Sequence, residues 1–127
     1  MMAGEALASK TLTALEAVGA LNGRYEGPAI RSAAPYAIVE AGAESDWSHK
    51  SGAGREVRLT VTLRDEGERP ARLRRLVGEA QAALGAIAAS GDGWRIVSLA
   101  FVRSRLLPEG DRRWVATRDY RARMLAE

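Results

Sequence analysis

Few side chains in this 127-residue sequence could carry out chemistry, and they do not form a catalytic grouping. His49 is the only histidine and cysteine is absent, so neither a multi-histidine nor a thiolate metal site can be built. His49 could pair with Asp46 or Ser48, but a nucleophile also needs a base that a third group orients. We therefore predict no catalytic residue, no metal site and no cofactor, and hence no enzyme activity.

Two further motifs have ordinary structural interpretations. The glycine-rich stretch 51–55 precedes a predicted strand, whereas phosphate-binding loops follow a strand and open a helix. Asp65, Glu66 and Glu68 cluster beside arginines at the entry to a predicted helix, where acidic side chains complement the helix dipole. We expect both motifs to be solvated turns.

The basic charge of the sequence is concentrated toward its end. The formal net charge is +3, but residues 1–53 carry four basic and six acidic side chains, whereas residues 94–127 carry eight and four. Arginines near Trp114 could form a surface that binds phosphates and stacks bases. A basic nucleic-acid-binding accessory protein therefore remains an alternative. These arginines are Arg112, Arg113, Arg118, Arg121 and Arg123.

The hydrophobic pattern predicts an α+β fold with the element order α-β-β-α-β-β. The predicted helices cover 3–19 and 70–89, and the predicted strands cover 35–41, 55–65, 94–104 and 113–124. A four-stranded, mostly antiparallel sheet with two helices packed on one face satisfies this order. We expect a single domain over 1–127 with a long loop at 42–54, and the sequence leaves open a short strand around Arg24–Glu26.

The two middle strands differ in pattern. Residues 55–65 alternate strictly between apolar and polar side chains, as in a strand with one buried face. Residues 94–104 are apolar on both faces, with Val97, Leu99 and Phe101 on one and Ile96, Ala100 and Val102 on the other. This pattern predicts a central strand, or one covered on both sides.

No apolar run approaches the ~20 residues that cross a bilayer, so we expect no membrane partner. The loop 44–50 carries Trp47 among polar residues. A loop tryptophan either packs down or meets a partner, and the sequence leaves both open.

The sequence resembles the small tail completion proteins of long-tailed phages, prophages and phage-like gene transfer agents. The resemblance covers almost the whole chain and depends on the order of several short motifs. These are Gly23-Arg24-Tyr25, Pro35-Tyr36-Ala37-Ile38-Val39, Ser45-Asp46-Trp47-Ser48-His49-Lys50, Gly54-Arg55-Glu56-Val57-Arg58-Leu59, Arg95-Ile96-Val97-Ser98-Leu99 and Arg118-Asp119-Tyr120-Arg121-Ala122.

This resemblance implies a structural virion protein, a tail terminator. Such a protein forms a homohexameric ring on the tail tube, stops its growth and joins it to the head-side connector. The implied partners are other copies of the chain, the major tail tube protein and the connector or stopper, with DNA only in transit through the lumen. The implied location is the head–tail junction of a particle made in the bacterial cytoplasm.

Within this resemblance, a head–tail connector or stopper of the same particle remains an alternative. We expect the contacts to neighbouring subunits or rings to come from two hairpins. The residues concerned are Asp46, Trp47, His49 and Lys50 in the first, and Leu106, Leu107, Arg112 and Arg113 in the second.

Overall fold

The computed structural model of the chain describes residues 1–29 and 31–127 and contains two helices and five strands there. In chain order these are α1 (Ala3–Leu15), β1 (Gly23–Glu26), β2 (Tyr36–Asp46), β3 (Gly54–Glu66), α2 (Ala71–Gly85), β4 (Trp94–Pro108) and β5 (Arg113–Ala126). The strands form one sheet in the spatial order β1-β2-β3-β5-β4. β1 runs parallel to β2 and the other neighbouring strands are antiparallel, so the sheet is mixed.

The predicted α+β class with two helices is confirmed, but the predicted number of four strands is wrong. The fifth strand is the short β1, which pairs with residues 36–39 of β2. The Arg24 side chain holds β1 in place, since its Nε donates to the Leu15 carbonyl at 2.7 Å and its Nη2 donates to the Val18 carbonyl. These bonds go to carbonyls at the end of α1 and in the turn that follows it, and so attach β1 to that segment.

One face of the sheet carries the hydrophobic core, and both helices pack on it. The alternation predicted in β3 is confirmed, since Val57, Leu59, Val61 and Leu63 are fully buried. α1 covers β1, β2 and β3, and α2 covers β3 and β5, so most of β4 stays uncovered. The helix side chains buried in this core include Leu7, Leu15, Leu73, Leu76, Ala80 and Leu84.

The prediction for residues 94–104 is wrong, because β4 is an edge strand and not a central one. The predicted division of its faces is also wrong. The pairing with β5 shifts between Ile96 and Ser98 and again between Phe101 and Arg103. Each shift inserts one unpaired residue and reverses the alternation that follows. As a result Ile96, Leu99 and Phe101 share the helix-covered face, opposite Met124, Ala122 and Tyr120.

Several boundaries also differ from the prediction. The loop expected over 42–54 is shorter, because β2 continues to Asp46 and leaves only 47–53 between the strands. Polar residues can extend the hairpin because its backbone hydrogen bonds do not depend on apolar side chains. The helices end at Leu15 and Gly85, before the predicted limits of 19 and 89. Both helices continue into tight turns with i→i−3 hydrogen bonds, such as Ala17 N–H to the Ala14 carbonyl and Ala86 N–H to the Ala83 carbonyl, and the apolar pattern does not distinguish these turns from α-helix.

Candidate subunit interface

The first predicted contact group lies in the turn between β2 and β3, at one end of the sheet. Asp46 accepts a hydrogen bond from Ser48 Oγ at 2.6 Å and lies 3.3 Å from Arg55 Nη1. The bond from Ser48, with a smaller contribution from Arg55, lowers the pKa of Asp46 below its ordinary value. The Trp47 ring stands edge-on to His49 with centroids 4.5 Å apart. The turn is therefore ordered by its own contacts.

Trp47 itself packs down only in part. The guanidinium carbon of Arg123 on β5 lies 5.6 Å from the centre of the Trp47 ring, within the range of a cation–π contact. Trp47 is half-buried, whereas Asp46, His49 and Lys50 are exposed. The structure therefore brings all four residues to one solvated turn with an aromatic surface still available.

The second predicted contact group lies around the β4–β5 turn. Leu107 is exposed, whereas Leu106 packs against the core from the opposite side of β4. Arg112 has a positive φ of 57° in the tight turn, and its Nη1 lies 3.2 Å from Glu68 Oε1. Arg113 is exposed and pairs across the ladder with Glu66. Leu106 thus supports the fold, and the other three residues are on the surface.

The two groups lie at opposite ends of the sheet. In the β3–β5 pairing, Gly54 faces Leu125 at one end and Glu66 faces Arg113 at the other. A 13-residue strand spans about 40 Å at ~3.3 Å per residue. The two turns therefore form two separate surfaces, not one.

A third surface, the β4 edge, was missed from the sequence. It comprises the outer side of β4 with the exposed side chains of Val97, Phe101 and Val102, which are 45%, 54% and 48% accessible. A 15-residue edge strand also presents unpaired backbone groups along its outer side. Apolar residues on both faces of 94–104 were the available signal, but that pattern does not say which chain covers them.

A groove opens beside this edge, between the end of α2 and the strands β4 and β5. We call it the α2–β4 groove; its volume is about 520 Å³, and its walls include Leu84, Ile87, Leu99 and Phe101. Arg118 and Tyr120 also line it. The sequence pattern did not reveal that Arg118 is buried in this groove.

The residues considered for chemistry have structural partners. The expectation of a solvated turn is wrong for Asp65, which lies in β3 with a buried carboxylate that accepts hydrogen bonds from Arg72 and from the backbone N–H of Glu66. His49 pairs through its backbone with Gly52 across the turn. Over residues 1–29 and 31–127, no group of three His, Cys, Asp or Glu side chains is placed to hold a metal ion. Among the same residues, no helix is both long and apolar enough to span a bilayer.

An uncovered apolar edge with two ordered turns at opposite ends is typical of a protein that works through contacts to other proteins. The family model for tail completion protein gp17 matches residues 6–125. The chain therefore belongs to the tail completion protein gp17 family, and the resemblance read from its motifs is confirmed. It is a structural tail protein of a phage or phage-like particle.

The fold is also similar to that of a solved structure described as the virion of a native gene transfer agent particle. The TM-score is 0.60 at 22% sequence identity, and the alignment covers 94% of this chain and 92% of the other. At that identity the similarity shows a shared fold. No curated protein matches the sequence.

Proposed function

We propose that this chain is a ring-forming tail terminator. Copies of it assemble, as a homohexamer, on the last layer of the tail tube, stop further polymerisation and join the tail to the head-side connector. The observation that best supports this proposal is the uncovered β4 edge of this chain, which belongs to the tail completion family. Phe101, Val97 and Val102 remain exposed on a strand with free backbone groups, so they need a protein to cover them.

The two turns suit the two axial partners of such a ring. The Asp46–Lys50 turn and the Arg112–Arg113 turn lie about 40 Å apart at opposite ends of the sheet. One end can therefore contact the major tail tube protein while the other contacts the connector or stopper. The proposed location is the head–tail junction of a particle made in the bacterial cytoplasm. The role requires binding to other virion proteins and no catalytic turnover.

The test is the length of tails made without this protein. In a producing strain that lacks the gene, electron microscopy is expected to show headless tails of irregular, excessive length. Re-expression of the wild-type chain is expected to restore a uniform length and head attachment. Headless tails of normal length would contradict a terminator and favour a connector or stopper of the same particle. Normal headed particles would contradict both roles.

One observation supports contact with DNA as a second candidate role. On the sheet face away from the helices, Arg58 lies directly opposite Arg121, and Arg105 lies on the neighbouring β4. Among the described residues, no carboxylate lies within 4.0 Å of these three guanidinium groups. In a ring, this face would meet DNA only in transit; as a main function, it would make the chain a nucleic-acid-binding accessory protein.

A further inference from the structure

Arg118 is a buried cation without an acidic partner in its own chain. The residue is 7% exposed, and no carboxylate of the described residues lies within 4.0 Å of it. Its Nε donates to the Tyr120 hydroxyl at 2.8 Å, and its guanidinium carbon lies 4.3 Å from the centre of the Phe101 ring. Removing a guanidinium from water is costly unless a carboxylate or several hydrogen bonds compensate for the lost hydration.

The free end of this side chain is directed to the α2–β4 groove. The Nη atoms of Arg118 donate no hydrogen bond within the described part of the chain. No fully buried side-chain nitrogen or oxygen there lacks a partner, so the Nη atoms stay accessible from the groove that Arg118 lines. Leu84, Ile87 and Leu99 surround them with apolar surface. The groove therefore fits a carboxylate carried beside apolar groups.

The opposite edge of the same sheet supplies the complementary charge. Residues 1–53, which form α1, β1 and β2, carry six acidic and four basic side chains. Residues 94–127, which form β4 and β5, carry four acidic and eight basic side chains. The sheet therefore has an acidic side that ends in β1 and a basic side that ends in β4. Such a chain attracts another copy head to tail, which is the contact type that closes a ring.

Two exposed carboxylates mark the acidic side. Glu26 ends β1 on the outer edge of the sheet, and Glu16 caps the C-terminal end of α1 beside it. Neither forms an ion pair with another described residue. A negative charge at the C-terminal end of a helix opposes the helix dipole, so the fold itself gains nothing from Glu16 there. We call the surface formed by β1, Glu16 and Glu26 the β1 edge.

We propose that the α2–β4 groove of one copy receives the β1 edge of the next copy, with Arg118 pairing to Glu16 or Glu26. The proposal rests on the ring-forming function above and adds the identity of the contact. Phe101, which stacks on Arg118, becomes covered in this contact. The same contact repeated around the ring uses both edges of every sheet.

Chemical crosslinking tests this contact, because the chain has no cysteine of its own. We would place one cysteine at the exposed groove rim (Gln81→Cys) and one at the exposed position next to Glu16 on the β1 edge (Ala17→Cys), so that both carboxylates stay in place. Particles carrying this double variant are treated with a short bismaleimide, and the products are sized and identified by mass spectrometry. The controls are each single variant, and the pair of Gln81→Cys with Asp111→Cys in the distant β4–β5 turn.

The expected result is a ladder of covalent multimers of this chain for the double variant only. A crosslink from Gln81→Cys to a different virion protein, or no ladder in particles that contain the chain, would overturn the proposed contact. Either of these results leaves the terminator function standing, because the chain is then still a component of the particle. Absence of the chain from the particles would instead contradict the proposed function and the contact together.

A charge variant supplies the second measurement. Glu16→Gln with Glu26→Gln changes only exposed side chains, so the monomer should fold normally. We expect it to reduce the ladder roughly tenfold or more, as loss of a buried ion-pair partner does. Glu40→Gln removes another exposed carboxylate without an ion pair to a described residue, on the sheet face away from the helices; it is the matched control and should leave the ladder unchanged. An unreduced ladder in the Glu16/Glu26 variant would overturn the assignment of the partner of Arg118.

Discussion

Replacing Asp65 by asparagine should destabilise the monomer in a pH-dependent way. Asp65 is 4% exposed at the end of β3 and accepts bonds from Nε and Nη2 of Arg72, in the first turn of α2, and from the Glu66 N–H. Hydrogen bonds to a charged group contribute more than neutral ones, but Arg72 is half exposed and its share is discounted. We expect a loss of about 2 kcal/mol at pH 7, or about 7 °C in Tm for a chain of this size.

The pH dependence follows from the sign of the pKa shift. Burial raises the pKa of Asp65, but the bonds from Arg72 and Glu66 lower it more, and the result is a pKa below the ordinary 3.8. The interactions that lower this pKa stabilise the folded state at pH values above 3.8. Their contribution to the free energy of unfolding is lost as the pH falls through the folded-state pKa.

The assay is thermal unfolding of wild type, Asp65→Asn and the exposed control Glu66→Gln between pH 7 and pH 2. The Tm difference between wild type and Asp65→Asn should be full at pH 7 and shrink below about pH 4. The control should follow the wild type. If the Tm difference is absent at pH 7, or does not change with pH, ionised Asp65 does not stabilise the fold through its bonds to Arg72 of α2.

Three further changes test the fold and its surfaces. Trp47→Ala should change Tm by only a few degrees, because the ring is half-buried. The variant should nevertheless give tails that fail to join heads, and normal headed particles would show that Trp47 is not part of the contact surface. Leu59→Ala, in the centre of β3, should cost about 2–5 kcal/mol in urea unfolding; a smaller loss would contradict its full burial. If Arg58, Arg105 and Arg121 bind DNA, wild-type retention should fall steeply between about 50 and about 200 mM salt, and replacing all three by glutamine should flatten that slope; no retention even at low salt would dispose of the DNA-binding role.

The sequence predicts best those elements whose apolar periodicity comes from one buried face alone. In β3, strict alternation around Leu59 identified both the strand and its buried face. In α2, the apolar stripe through Leu76 and Leu84 identified the helix and its buried side, although not its last turn. These elements follow directly from the periodicity of strands and helices.

The strand β4 was predicted, but its edge position and the division of its faces were not, because two causes overlap in its sequence. The irregularities at Val97 and Val102 shift the alternation, and a sequence pattern has no sign of an inserted residue. Its apolar residues also indicate burial without saying whether the same chain or another provides it. An edge strand that awaits a partner therefore has the sequence of a central strand.

The candidate site was predicted only where it lies in turns. Trp47 stands out because a large aromatic side chain in a polar loop either packs down or meets a partner. Arg118 does not, since the sequence groups it with the exposed arginines of 112–123. Its burial depends on the pairing of β5 with β3, which puts Arg118 opposite Val61 on the core face.

Electron cryo-microscopy of the head–tail junction in intact particles tests the proposed function most directly. We expect a closed ring of six copies of this chain between the last tail tube layer and the connector. We also expect the α2–β4 groove of each copy to contact the β1 edge of the next. A junction built without this chain would contradict the account.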